Sequence, residues 1–135
     1  MAIDPDELYI VNYCHKNCVP LKNIIRLPKE EAFPLAYEMA EQNTGGTAFW
    51  RFKDFENYYP RRMKTDKCLH DSFIALGGNP KTEHPLSFVL QGNEYLNHWF
   101  DHGIITKCPL NHISSQYISF YNYIEVQLWN DACCT

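Results

Sequence analysis

Tyr58, Tyr59, Arg61 and Arg62 flank Pro60 in the stretch DFENYYPRRMKTDK, residues 54 to 67. Two guanidinium groups beside two phenol rings can hold a phosphate or carboxylate, because the planar guanidinium fork matches the oxygens of both anions. Pro60 stands where a first-turn proline belongs, so the residues around it are expected to open a helix whose unpaired N–H groups favour an anion. That helix is predicted to run to about Leu76 and stop at Gly77-Gly78. At 100° per residue, Leu69, Phe73, Ile74 and Leu76 define its apolar arc; Arg62 falls within the arc, and Arg61 and Lys64 fall outside. Asp66 and His70 follow Arg62 at steps of four, so the three form one column on or beside the core-facing side. An inward charge needs a partner. Arg62 therefore pairs either with Asp66 along the helix, an interaction worth roughly 0.2–0.5 kcal/mol, or with a ligand. The predicted ligand-binding set is Tyr58, Tyr59, Arg61, Arg62 and His70.

Other chemistry-bearing residues form less complete patterns. His98 and His102 in HWFDH lie four apart, a spacing at which two imidazoles on a helix can share a metal. They lack the glutamate of an HExxH motif and an obvious third ligand, so no metal is expected and no cofactor is implied. The two cysteines of CHKNC, Cys14 and Cys18, do not have CxxC spacing, and Cys14 beside His15 in an extended segment would point to the opposite face. Gly45-Gly46 and Gly77-Gly78 lack the spacing of a phosphate-binding loop and read as helix stops.

The charge balance narrows the partners. The chain carries a net charge of −4, yet Arg51, Lys53, Arg61, Arg62, Lys64 and Lys67 face only Asp54, Glu56 and Asp66 between residues 51 and 67, which leaves +3 there and −7 elsewhere. Proteins that coat duplex nucleic acid carry a broad basic surface, so nucleic acid is not the expected partner. One basic knot in an acidic chain suits a small anionic ligand or an acidic patch on a protein partner. MAIDPDEL has no basic start and no apolar run of signal-peptide length, and no stretch has the apolar length of a membrane helix, which reads as a soluble, cytoplasmic protein. In that setting the six cysteines are expected to be reduced thiols.

The elements that must position these residues follow from periodicity. At 135 residues, 45% hydrophobic and 15% aromatic, the chain reads as one globular domain over residues 1–135. ELYIVNY (7 to 13), LSFVL (86 to 90) and IITKC read as strands. Helical spacing from Pro28 to Asn43 predicts a helix in which Pro34 is either a kink or the true first turn. Asn93 is a plausible cap for a further helix, NEYLNHWFDH. From Ile118 to Leu128 apolar residues recur with period two, a strand or a hairpin bent near Asn122. The order predicts an α+β domain with an antiparallel or mixed sheet and about three helices. Its core is expected to hold Tyr9, Val11, Phe88, Val89, Ile105, Ile118, Phe120, Ile124 and Val126.

Across LYIVNY, EEAF, DFENYYPRR, the helix ending in LGGNP, HPLSFVL and PLNHISSQYISF, residues 7 to 120, the chain resembles a group of small uncharacterised single-domain proteins of Gram-positive bacteria. That resemblance implies a bacterial source and supplies no activity; YNYIEVQLWNDACCT departs from the pattern. LYIVNYCH, LSFVL before a Trp-bearing helix, and YIEVQL are also similar to compact ADP-ribosyltransferase-like domains. That likeness implies a first-strand residue gripping a dinucleotide and a late-strand glutamate orienting the ribose, and makes His15 and Glu125 the catalytic candidates. No complete catalytic constellation stands in the sequence. The leading expectation is a small binding or regulatory module with an anion site near residue 60; the alternative is a nucleotide-using transferase.

Overall fold

Tyr9–Cys14 (β1) extends because its β-branched and aromatic side chains fit a pleated, half-buried surface. In the computed structural model, which describes residues 7–45, 47–121 and 125–130, it is followed by α1 (Lys29–Gln42), α2 (Phe55–Ala75), β2 (Leu86–Leu90), α3 (Glu94–Trp99), β3 (Ile104–Pro109), β4 (Ile118–Phe120) and β5 (Glu125–Leu128). The strands form one sheet in the order β3-β1-β2-β5-β4, and every pairing is antiparallel. This is the α+β architecture expected, with the sheet antiparallel rather than mixed. β4 and β5 pair Ile118 with Leu128 and Phe120 with Val126, so the period-two tail is a hairpin. Its bend near Asn122 lies outside the described residues, as does Ile124.

Register decides which side chains are core. Ile10 stands opposite Cys108 and Leu90, and Ile10, Leu86, Phe88, Cys108, Ile118, Val126 and Leu128 form one buried cluster. Because side chains alternate across a strand, this register puts Tyr9 and Ile105 on the other face. Ile105 is 45% exposed, and Tyr9 lies half-buried under the Lys107 ammonium. Phe120 shares the core face but sits on the edge strand and is 51% exposed. These three leave the predicted core, and Ile10, Leu86, Leu128 and Trp129 join it.

A second cluster, Ile25, Ala32, Ala36 and Phe55, joins α1 to the start of α2, with Phe33, Phe52, Tyr58 and Tyr59 against it. Pro34 is the sixth residue of α1 and Pro60 the sixth of α2. The expectation that α2 begins at Pro60 is thus corrected: a 3₁₀ turn over Trp50–Asp54 leads into a helix that starts at Phe55. Phe55 is fully buried and meets Phe33, Phe52, Tyr58 and Tyr59 ring to ring. That aromatic packing extends the helix through a residue that cannot donate to the Glu56 carbonyl. At the other end Gly77 takes φ +96° and its N–H bonds the Ile74 carbonyl, while the Gly78 N–H bonds Phe73, the stop that the sequence predicts. α1 ends differently: the Asn43 side chain donates to the Met39 carbonyl at 2.8 Å.

Candidate functional site: a basic cleft beside a buried aspartate

Between the two clusters opens a cleft of about 1050 Å³, lined by Leu86, Phe88 and Val126 from the sheet and by Ile24, Phe52 and Tyr58 from the helical side. Lys22, Arg26, Arg51 and Arg62 line it, with Glu125 the one carboxylate among the described residues of its lining. Four cations thus meet in one concavity of a chain whose net charge is −4.

Arg62 and Arg26 are held by an unusual buried group. Asp66 is 1% exposed; its carboxylate accepts from His84 Nδ1 at 2.8 Å and lies 3.5 Å from Arg62 Nη2. Arg62 Nη1 donates to the Tyr58 hydroxyl at 3.1 Å. Arg26 reaches the same place from the turn over Ile24–Arg26, with Nε donating to the His84 carbonyl at 2.8 Å and Nη2 to Thr82 at 3.2 Å. Burial works against the charge on Arg62, but Tyr58 and Asp66 outweigh it, and the guanidinium is held above its ordinary pKa. α2 supplies this face because Phe55, Asp66 and Phe73, its buried residues, follow one another at whole numbers of turns, and Arg62 stands one turn before Asp66. Ile74 and Leu76, expected on the apolar arc, are exposed.

The predicted set divides on this geometry. Tyr58 and Arg62 line the cleft. Tyr59 packs instead on Phe33 and Phe55, and Arg61 is exposed outside the cleft lining. His70 leaves the Arg62–Asp66 column: its ring meets the edge of Trp129 at 5.5 Å and its Nδ1 stands 3.7 Å from Asp71. His84, eighteen residues from Asp66 in sequence, takes the place foreseen for His70. The amides at the true start of α2, which opens at Phe55, are not around Pro60 either.

His15 and Glu125 also line the cleft. His15 is buried, and both ring nitrogens are engaged: Nδ1 accepts the Asn17 N–H at 3.1 Å, which places the neutral ring's proton on Nε2, 3.4 Å from Asp101. Its ring edge also meets Phe49 at 4.8 Å.

His98 and His102 lie ring to ring at 5.6 Å, but α3 ends at Trp99 and His102 stands beyond it at φ 52°. His102 Nε2 is 3.4 Å from Glu94. Among the described residues no group of three or more His, Cys, Asp or Glu side chains is arranged to hold a metal. Nor is any helix among them long and apolar enough to cross a membrane. Cys14, Cys18 and Cys68 are free thiols. Cys108 is disulfide-bonded, which corrects the all-reduced expectation at that position. No protein-family model, curated protein or solved structure matches the chain, so no activity is transferred to it from a relative.

Proposed function

We propose that this protein is a small binding or regulatory module whose cleft takes an amphipathic anion, an apolar or aromatic body carrying a phosphate or carboxylate. The observation that carries this reading is the cleft's lining of Lys22, Arg26, Arg51 and Arg62, with Glu125 the one carboxylate among its described residues, on walls of aliphatic and aromatic side chains. Concave, mostly apolar sites with a few convergent polar groups are where small ligands bind. A guanidinium offers five N–H donors, and the contacts of Arg62 to Tyr58 and Asp66 leave others for an incoming oxygen. The ligand site is thus the cleft wall bearing Tyr58 and Arg62, and no longer the first turn of a helix.

The test is a thermal-shift screen against nucleotides, phosphorylated metabolites and aromatic carboxylates, since a ligand that binds only the folded state adds about 2.7 kcal/mol of stability at a hundred times its Kd. Arg62→Met is expected to weaken the best anion about ten- to hundredfold, the worth of a hydrogen bond to a charged group. Anions that never move the parent's melting curve would remove the reading. The alternative, a nucleotide-using transferase, would occupy the same cleft through Glu125. Label transfer from NAD that is abolished by Glu125→Gln would favour it.

A further inference from the structure

The face of the sheet turned away from Ile10 carries a second concavity, of about 360 Å³, where Tyr9, Tyr13, Ile105 and Lys107 meet Asn97 and the loop from β2 to α3. It shares only Val11 and Tyr13 with the cleft, and none of the cleft's four cations lines it. The loop is bound closely over β1. The Gln91 N–H donates to the Tyr9 carbonyl and the Tyr9 N–H to Gln91 Oε1, both at 2.9 Å. Gly92 follows at φ +95°, and a Cβ there would stand 3.0 Å from the Tyr13 hydroxyl, so a glycine serves both the turn and the close approach.

Among the described residues, one donor and one acceptor of this pocket go unused. The Tyr13 hydroxyl accepts the Asn93 N–H at 2.7 Å, and its own proton meets no acceptor among them. Asn97, one turn into α3, has its Oδ1 buried with no hydrogen-bond partner among them. A buried amide oxygen left unpaired is costly and calls for a donor. Charge selects neither an anion nor a cation here, because both signs are present. The Lys107 ammonium lies 5.1 Å over the Tyr9 ring, and Glu94, 3.4 Å from His102, lines the same pocket.

We propose that this pocket binds a neutral monosaccharide, one of whose hydroxyls bridges Tyr13 and Asn97. A hydroxyl accepts and donates at once, so a single group takes the Tyr13 proton and gives its own to Asn97 Oδ1. The last torsion of an asparagine is broad, and a modest turn of the amide brings that oxygen to the incoming group. Tyr9 and Tyr13, two residues apart on one face of β1, offer ring faces whose negative charge suits the C–H groups of a pyranose. Gln91 and Glu94 stand exposed at the rim, within the lining, to take further hydroxyls. At about 360 Å³ the pocket is at the small end of ligand sites, roughly 300–1,000 Å³. That suits one sugar unit rather than a chain of them.

The probes are methyl glucopyranoside, methyl galactopyranoside and N-acetylglucosamine, each titrated to about 10 mM into isotope-labelled protein while its amide NMR spectrum is followed. At least one should shift the Asn97 side-chain amide and the backbone signals of Tyr13 and Gly92, a result that needs no variant to fold. Tyr13→Phe and Asn97→Leu should each weaken that sugar about fivefold or more, the worth of one neutral hydrogen bond. Asn97→Leu should melt no lower than the parent, because Oδ1 gives up no hydrogen bond. Four results would each overturn the proposal: no shift with any of the three sugars, shifts centred on Tyr58 and Arg62, unchanged affinity in Asn97→Leu, or adenosine binding these residues more tightly than every sugar. None of these readouts depends on whether the cleft also binds an anion.

Discussion

Replacing Asp66 by alanine should be among the most damaging single changes in this protein. Asp66 is 1% exposed and accepts from His84 at 2.8 Å while standing 3.5 Å from Arg62. Removing one member of a buried charged group leaves the others uncompensated, at a cost of about 3–5 kcal/mol. Arg62 is 25% exposed along its side chain and can turn partly to water, which places the expected value toward the lower end, about 3 kcal/mol. For 135 residues, an unfolding entropy of roughly 2.1 cal/mol/K per residue makes 1 kcal/mol worth about 3.5 °C, so Asp66→Ala should lower Tm by about 10 °C. Asp66→Asn keeps the shape and one acceptor but loses the charge, and about 1.5–3 kcal/mol is expected. Arg62→Met should cost less than either, because Asp66 keeps His84. Urea and thermal unfolding of the three variants give the ranking. If Asp66→Ala costs under about 1 kcal/mol, or Arg62→Met costs more than Asp66→Ala, the carboxylate is not what binds this group together.

A further change probes the helix. Pro60→Ala restores an N–H opposite the Glu56 carbonyl inside α2; stability should rise by about 1–2 kcal/mol, less than the roughly 3 kcal/mol of an interior proline because the aromatic cluster already holds the turn, and a falling Tm would contradict this.

Features written in local sequence were legible. Asn93 caps α3 by accepting the Leu96 N–H at 3.1 Å, Gly77 ends α2, and the alternating tail pairs as a hairpin, each because the cause lies within a few residues. What depended on distant partners was not. Nothing near Asp66 announces His84, and nothing in DFENYYPRR reveals that Phe33, Phe52 and Phe55 would draw the helix start five residues upstream of Pro60. On β1 Val11 is buried as expected, but Tyr9 is not and Ile10 was missed, because Tyr9-Ile10-Val11 is apolar on both sides and pairing with Cys108 selects Ile10. CHKNC was set aside because its cysteine spacing is not CxxC, while its shape comes from a turn closed by the Cys18 N–H on the His15 carbonyl, which Gly103, ahead of β3, leaves room for.

The sheet order carries a consequence for how the molecule is assembled during synthesis. β2, at residues 86–90, is the central strand, yet one of its two neighbours is β5, at residues 125–128. A growing chain therefore completes β1, β2 and β3 while one edge of its most apolar strand, LSFVL, still lacks its partner. An open edge of this kind is a template for pairing with another chain. The interval ends only when β5 has emerged and slid between β2 and β4, so folding of the whole sheet waits on the ribosome, and crowding by neighbouring nascent chains is felt most just before that moment.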